Sequence, residues 1–313
     1  MAATIAILLA TYNGAPYLAQ QLDSLLVQTN RDWHLLVRDD LSTDETFDIL
    51  RRYQEQHPTK ITIVPNEGEV LGASGNFGAL LTLADAPFTM FCDQDDVWLP
   101  DKIELTLAAM QRLEALHGKA MPLLVHTDLR VVDSNLLEIA PSLWRYQKTD
   151  PSAITLNRLL VQNVATGCTV MINRSLRELA VPMPAEARMH DWWLALVAGA
   201  FGRIAHIQTP TILYRQHDCN DSGAAPLNLI VAMRKIFAPS KLLKTNEFVK
   251  RLQRQAAAFL QRYGNMLPPR TRTVLEIYSC LQEQGFFKER YYRVKYGFFY
   301  ASTLMNIRLL LFR

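Results

Sequence analysis

From its first residues the chain alternates short apolar runs with stretches of helical periodicity, a pattern that demands a sheet covered on both faces. Residues 4–10 (TIAILLA) read as a buried strand, and Pro16 then opens a helix with Leu18, Leu22, Leu25 and Leu26 on one face. Residues 34–38 form a second strand closed by Asp39 and Asp40. The run Ser42-Thr43-Asp44-Glu45 matches a capping box, which starts the next helix there and carries it to about Gln56. Residues 61–64 and 88–92 are further strands, with a helix over 73–84 between them. Spacing of this kind predicts an α/β fold with a mostly parallel, Rossmann-like sheet flanked by helices.

In such sheets ligands bind beyond the carboxyl ends of the strands. Four predicted strand ends carry polar clusters: Thr11-Tyr12-Asn13-Gly14, Asp39-Asp40, Asn66-Glu67-Gly68 and Asp93-Gln94-Asp95-Asp96. The last is the most informative, because three carboxylates in four residues repel one another unless something positive sits among them. A hard divalent cation, Mg²⁺ or Mn²⁺, answers that need, and a solvated acidic turn leading into a helix at Pro100-Asp101 is the other reading. The first loop has neither G-x-G-x-x-G nor G-x-x-x-x-G-K-[ST], which disfavours a dinucleotide fold or a P-loop. Tyr12 instead offers an aromatic plate for a base and Asp39 an acceptor for a base or ribose edge, or the two simply pack and cap.

Two later stretches add chemistry. His190-Asp191-Trp192-Trp193 leads into an apolar helix, and an acidic side chain held beside two tryptophans is partly desolvated, which suits a general base. A plain helix N-terminus, where Asp is favoured by the helix dipole, accounts for the same residues. Tyr214-Arg215-Gln216-His217 follows a predicted strand over 211–214, where Arg215 can clamp a diphosphate and His217 can ligate a metal.

Composition sets the bounds. At 313 residues, 49% hydrophobic and 20% charged, the chain has ample core for one large domain or two modest ones. Its longest strongly apolar uncharged run, residues 296–307, is 12 residues, short of the ~20 that span a bilayer. The start lacks the basic lead-in of a secretory signal, so a cytoplasmic protein is expected. Cys92, Cys168, Cys219 and Cys280 follow neither a disulfide nor a zinc pattern. The net charge of +3 hides a division: residues 226–313 hold 16 Lys and Arg against 4 Asp and Glu, which leaves 17 basic and 26 acidic residues in 1–225. The chain thus divides into an acidic part, 1–222, and a helical basic extension, 223–313.

Taken together the motifs resemble family 2 of the glycosyltransferases, enzymes of the A-type glycosyltransferase fold. Residues 7–14 (ILLATYNG) look like the family's opening strand and nucleotide loop, and 37–44 (VRDDLSTD) like its D-D-x-S-x-D turn. Residues 71–77 (LGASGNF) are similar to its G-x-x-x-N segment, and 91–102 (FCDQDDVWLPDK) to the D-x-D motif of a bacterial rhamnosyltransferase-like subgroup. The resemblance covers roughly the first 220 residues. It implies that Tyr12 and Asp39 hold the donor's base, with Thr11, Asn13, Asp40, Asn76 and Gln94 nearby, and that Asp93 faces ribose or metal. Asp95 would ligate the cation, Thr166 and Gly167 would line the sugar site, and Asp191 would be the catalytic base. Arg215 would lie on the diphosphate and His217 would be a further metal ligand. Many members read Glu-Asp where this chain has His190-Asp191. The expected activity is inverting, metal-dependent transfer from a nucleotide-diphosphate sugar to a saccharide acceptor, lipid-linked in many relatives, during surface polysaccharide or O-antigen synthesis.

The basic extension mixes cations with aromatics. Residues 233–237 and 241–244, and a tail from Tyr291 to Arg313 rich in Tyr, Phe and Leu, fit either an anionic membrane surface at the cytoplasmic face of the inner membrane or a packed helical subdomain. No recognisable module supports nucleic acid as a partner. Two rivals to the transferase reading are a nucleotidyltransferase, which would carry a glycine-rich basic loop that residues 11–17 lack, and a non-catalytic protein of the same fold.

Overall fold

A computed structural model describes residues 3–217, 239–301, 306–307 and 310, with side chains of 239–246 left out. Cys219, residues 233–237, the side chains of 241–244, and Arg308, Leu309, Leu311, Phe312 and Arg313 of the tail lie outside the described residues.

Strands β1 (Ile5–Thr11), β2 (Trp33–Asp39), β3 (Ile61–Ile63) and β4 (Phe88–Cys92) alternate with helices α1 (Ala15–Leu26), α2 (Thr46–Gln56) and α3 (Gly72–Leu83). There follow β5 (Val97–Trp98), α4 (Lys102–His117), β6 (Leu123–Val132), β7 (Glu138–Ala140), α5 (Leu143–Gln147), α6 (Leu156–Leu159), β8 (Met171–Asn173), α7 (Arg174–Ala180), α8 (His190–Phe201) and β9 (Arg203–Arg215). Among the described residues the strands form one nine-stranded sheet in the order β3-β2-β1-β4-β8-β6-β9-β5, with β7 on β6.

The sheet is mixed. The run β3-β2-β1-β4 is parallel, as expected from the alternation, whereas β8 runs antiparallel to both β4 and β6, and β5 antiparallel to β9. The parallel strands are covered on both faces, so Ile5, Ile7, Leu8, Leu9, Leu35 and Val37 are all fully buried. Register puts Thr11 beside Asp39 and Leu9 beside Cys92. The carboxyl ends of β2, β1 and β4 therefore share one edge.

Helix α2 begins at Thr46, later than the capping-box motif implies. Ser42 bonds instead to Asp39 and to the Asn13 N–H, while Asp44 accepts from the Thr46 N–H and hydroxyl. Competition from these loop bonds removes Ser42 from the helix end.

Two compact units emerge: Met1–Leu143 with Ala165–Met183 and Met189–Ala224, and Trp144–Val164 with Pro184–Arg188 and Ala225–Arg313. The second contains helices α9 (Pro239–Tyr263), α10 (Pro269–Ser279) and α11 (Phe286–Tyr296). Its core includes Leu252, Phe259, Tyr263, Leu275, Tyr278 and Phe298, and the Gln253 amide donates to the Tyr278 carbonyl at 3.2 Å. No described helix is long and apolar enough to cross a membrane.

Asn173, 1% exposed at the end of β8, shows how the mixed half is held. Its Oδ1 accepts from Leu123 N–H at 3.0 Å and, as the N-cap of α7, from Leu176 N–H at 3.1 Å, while its Nδ2 donates to Met121 O at 2.9 Å. Asn173→Ala is expected to lower unfolding free energy by about 3 kcal/mol, since it removes a cap and strands buried groups. Asn173→Asp keeps the acceptors but sets a carboxylate against a carbonyl, so urea midpoints should rank wild type above Asp above Ala.

Candidate active site

The loop after β1 is tied down by residues distant in sequence. Asn13 adopts a left-handed conformation (φ 47°), its N–H donates to Ser42 Oγ at 2.9 Å, and its Oδ1 accepts from Thr43 N–H at 2.8 Å. Helix α1 has no side-chain cap of its own. Its first N–H groups, on Gly14 and Ala15, donate to Thr46 Oγ1 at 2.8 Å and Asp44 Oδ2 at 3.1 Å. Gln94 grips the backbone of Tyr12 with both ends of its amide, accepting from the N–H at 2.8 Å and donating to the carbonyl at 3.0 Å. A Cβ on Gly14 would lie 2.3 Å from Gln94 Oε1, so this grip requires glycine there. The Tyr12 ring is left 55% exposed.

Asp39, 5% exposed, accepts from Thr11 Oγ1 at 2.8 Å, Ser42 N–H at 2.8 Å and Ser42 Oγ at 2.6 Å. A carboxylate offers about four lone-pair sites, so one remains for a further donor. Asp40 and Asn76, read in the sequence as donor-binding, are instead buried at 3% and 2% exposure and bonded within the protein. Asp40 pairs with Arg38 at 3.1 Å and accepts from the N–H groups of Leu71 at 2.9 Å and Gly72 at 2.8 Å. Burial opposes ionisation of Asp40, but bonds from Leu71, Asn76, Gly72 and Arg38 outweigh it and hold the carboxyl below its usual range. Asn76 accepts from Arg38 and donates to Gly72 O at 3.1 Å. This buried knot fixes the start of α3 against the end of β2.

Beyond β4 the three carboxylates go separate ways. The pairing of β5 with β9 brings residues 215–217 beside residues 95–96, so Asp95 Oδ2 meets His217 Nε2 at 2.9 Å. His217 stacks on Tyr17 with ring centroids 4.7 Å apart. Asp96 is fully buried; its Oδ1 accepts from Arg215 N–H at 3.1 Å and its Oδ2 has no hydrogen-bond partner. Ligand atoms of Asp93, Asp96 and Cys168 all lie within 4.8 Å of one another. Burial, with Asp95 and Asp93 adding to it, pushes the Asp96 carboxyl well up, and burial with Asp96 and Asp93 does the same to the Cys168 thiol. Both shifts disfavour the charged form of the group.

Arg215, read as a diphosphate clamp, has another task. It is 1% exposed, and its guanidinium donates to Asp95 O at 2.8 Å, Ser134 O at 2.6 Å and Gln20 Oε1 at 2.6 Å while lying 4.6 Å over the Tyr17 ring. With its donors engaged in this way it orients the backbone of Asp95 rather than facing a ligand. Lys102, which sequence reading passed over as part of the D-x-D segment, is also fully buried, with Nζ 4.5 Å over the Trp98 ring and no hydrogen-bond partner. Burial pulls its ammonium down to about 8 against the upward pull of Cys168, Cys92 and Asp96. It supplies a positive charge behind the acidic loop.

On the other side of Cys168, Thr166 is half-buried and its carbonyl accepts from the Thr169 N–H and hydroxyl. Gly167 packs so closely that a Cβ there would lie 2.8 Å from His190 Nε2 and 3.6 Å from Asp191 Oδ2. Asp191 is half-buried in the first turn of α8, and its Oδ1 accepts from Trp192 N–H at 2.6 Å. Trp193 is core, its indole N–H donating to Ala180 O at 3.2 Å. Loops at the sheet's carboxyl edge thus hold Tyr12 to Gln94 and Asp95 to His217, and Gly167 packs beside His190 and Asp191.

The donor set fits a hard divalent cation. Asp95 and His217 converge within 2.9 Å, and Asp93 is adjacent and half-buried. Asp96 and Cys168 are fully buried, and a thiol is a poor partner for a hard cation. A metal would therefore be held by Asp93, Asp95 and His217.

Residues 6–178 match the model of the family described as Glycosyl transferase family 2. The chain belongs to glycosyl transferase family 2. The transferase is 30% identical over 227 residues to a protein named dTDP-rhamnosyl transferase RfbG from Shigella flexneri, covering 69% of this chain and 74% of that one. It is 29% identical over 176 residues to the Escherichia coli UDP-Glc:alpha-D-GlcNAc-diphosphoundecaprenol beta-1,3-glucosyltransferase WfgD, covering 55% and 61%. Among solved structures, S. aureus TarS 1–349 in complex with UDP-GlcNAc superposes with a TM-score of 0.57 at 16% identity, covering 98% of this chain and 90% of that one. The mannosyltransferase PcManGT from Pyrobaculum calidifontis, in complex with GDP-Man and Mn²⁺, gives 0.54 at 18% identity, covering 100% and 82%. These two share the A-type fold. Family membership sets aside both the nucleotidyltransferase and the non-catalytic alternatives.

His190 generates a pH prediction. It is fully buried, its ring lies 4.0 Å from Phe77 and 4.7 Å from Phe91, and neither nitrogen has a hydrogen-bond partner. Burial pulls its imidazole down to about 3 from 6.5, so the folded protein keeps it neutral where the unfolded chain protonates it. The stability this lends is intact above pH 6.5 and is lost as pH falls, by ~1.4 kcal/mol per pH unit. Between pH 6.5 and 4.5 the wild type should lose ~2.3 kcal/mol more than His190→Leu, read from urea denaturation at each pH.

Proposed function

We propose that this transferase moves a sugar from a nucleotide-diphosphate donor to a saccharide acceptor with inversion at the anomeric carbon. The donor is deoxythymidine diphosphate-rhamnose or a uridine diphosphate-hexose. The acceptor is lipid-linked through a polyprenyl diphosphate, as in assembly of O-antigen or a related bacterial surface polysaccharide at the cytoplasmic face of the inner membrane. The observation that carries this reading is the Asp95–His217 pair at the sheet's carboxyl end, supported by the exposed Tyr12 held by the neighbouring Gln94 and by the half-buried Asp191 beside Gly167. The activities for which the Shigella and E. coli relatives are named support the donor classes, and the latter supports the lipid-linked acceptor.

Tyr12 stacks on the base, and the remaining lone-pair site of Asp39 accepts from its edge, while Thr11, Asn13 and Gln94 hold the loop in place. Thr166 and Gly167 line the sugar position. An acceptor hydroxyl is a poor nucleophile, so Asp191 takes its proton as the oxygen attacks the anomeric carbon from the face opposite the leaving group. Asp93, Asp95 and His217 would hold Mg²⁺ or Mn²⁺, which when bound would offset the negative charge of the departing diphosphate. Arg215 and Lys102 act by positioning: one holds the Asp95 backbone and the other offsets the negative charge behind it.

Asp191→Asn should cut kcat by roughly 10³-fold, in the range of a lost general base, with donor binding retained. The binding arm is a thermal-shift series of nucleotide-sugars with and without Mn²⁺, where a donor at a hundred times its Kd adds about 2.7 kcal/mol. Full turnover in Asp191→Asn would remove the base assignment. In excess chelator activity should fall to background, and undiminished activity would remove the metal.

Gly167→Ala tests the same geometry through shape. The added methyl would meet His190 Nε2 at 2.8 Å, and the imidazole is buried against the Phe77 and Phe91 rings. The displaced start of α8 carries Asp191, so kcat should drop about 10²-fold, as misplacement of a reacting group by an ångström does, with thermal stabilisation by the nucleoside diphosphate alone unchanged.

A further inference from the structure

Helix α11 is inside out. A helix on the surface of a soluble protein buries its apolar stripe and turns its charges to water. Here the buried face is ionic: Glu289, 6% exposed, accepts from Arg293 Nε at 3.0 Å and Nη2 at 2.9 Å and from Arg290 Nη1 at 3.0 Å, and Arg293 is itself 3% exposed. The outward face carries Phe287, Tyr291 and Val294, exposed by 86%, 57% and 62%. These three stand four and then three residues apart, the spacing that stacks side chains on one face. Lys288 and Lys295 are exposed on the same face, one residue beyond Phe287 and Val294.

The charges that α11 itself turns outward have a single sign. The only carboxylate on α11, Glu289, is neutralised internally by its two arginines, which leaves Lys288 and Lys295 as the charges turned outward. They belong to a stretch, residues 226–313, with 16 basic and 4 acidic side chains. A second copy of this chain would set that excess against itself, so like-charge repulsion disfavours self-association through this face. An anionic lipid surface complements it, with headgroup phosphates for the lysines and an apolar boundary for the rings. Lysine suits that position because its aliphatic stem lies along apolar surface while its ammonium reaches the phosphates.

We propose that the outward face of α11 docks the protein on an anionic phospholipid bilayer, with Phe287, Tyr291 and Val294 in the headgroup–acyl boundary and Lys288 and Lys295 on lipid phosphates. The purpose of such docking rests on the reading above, that the acceptor is lipid-linked; its physical basis does not. Vesicle binding and turnover are therefore measured separately.

Full-length protein is sedimented with vesicles of phosphatidylcholine containing about one-third phosphatidylglycerol and with vesicles of phosphatidylcholine alone, at low and at high salt. The wild type should bind the anionic vesicles, release from them at high salt, and ignore the neutral ones. The triple variant Phe287→Ser/Tyr291→Ser/Val294→Ser should bind about tenfold more weakly, and Lys288→Glu/Lys295→Glu should lose the preference for anionic lipid. Thermal midpoints and turnover on a water-soluble acceptor should match wild type in both, because these side chains face outward and lie outside the catalytic machinery. The proposal is overturned if the wild type stays in the supernatant or if the triple variant binds as well as wild type. It is equally overturned if sedimentation velocity shows a dimer that the triple variant dissolves. Loss of turnover on the soluble acceptor with vesicle binding intact would count against the catalytic reading alone.

Discussion

Like-charge repulsion at the end of β4 governs how the catalytic edge is built. Three carboxylates in four residues cannot stay ionised side by side at the rim of a buried strand. The fold separates them: Asp95 turns to His217, Asp96 is drawn inside where burial disfavours its charge, and Asp93 stays half-buried within 4.8 Å of Asp96. Behind them the buried Lys102 ammonium supplies an opposite charge, and the Arg215 guanidinium fixes the backbone of Asp95. A loop left negative at its surface and balanced from below can accept a cation without first having to gather its own ligands.

The rest of the edge depends on loops holding one another. The β1 loop is capped by the β2 loop through Ser42, Asp44 and Thr46, and gripped from the far side by Gln94. The β2 loop in turn is anchored by the Arg38–Asp40–Asn76 knot to the start of α3. Rigid positioning of this kind leaves the Tyr12 ring exposed on a backbone that is itself hydrogen-bonded on both sides. Near Asp191 the constraint is steric: Gly167 can approach only because it has no side chain, and His190 packs as an uncharged imidazole against Phe77 and Phe91 where an ionised carboxylate would be a buried, unpaired charge. That is a physical reason for this chain to read His-Asp where many of the family read Glu-Asp.

The basic second unit follows a different rule. Its own core is conventional, built from Leu252, Phe259, Leu275 and Tyr278, but α11 reverses the usual arrangement by burying an ion cluster and exposing rings. Composition alone reveals the excess of cations in this part; only the assignment of faces separates residues that pack from residues that meet an outside surface.

The sequence by itself determined the strand–helix order, the parallel run β3-β2-β1-β4, the polar strand ends and the family, because apolar periodicity and short motifs are local properties of the chain. Tertiary structure alone decided which polar residues face a ligand and which hold the scaffold. Asp40, Asn76 and Arg215 stand in the right motifs, yet they are buried and bonded to groups far away in sequence, and Arg215 reaches Gln20 across 195 positions. Nothing in a motif records such partners, since they arise only when β9 folds back against β5. The start of α2 was misjudged for the same reason: the Ser42 hydroxyl found acceptors and donors on neighbouring loops that a local pattern cannot see.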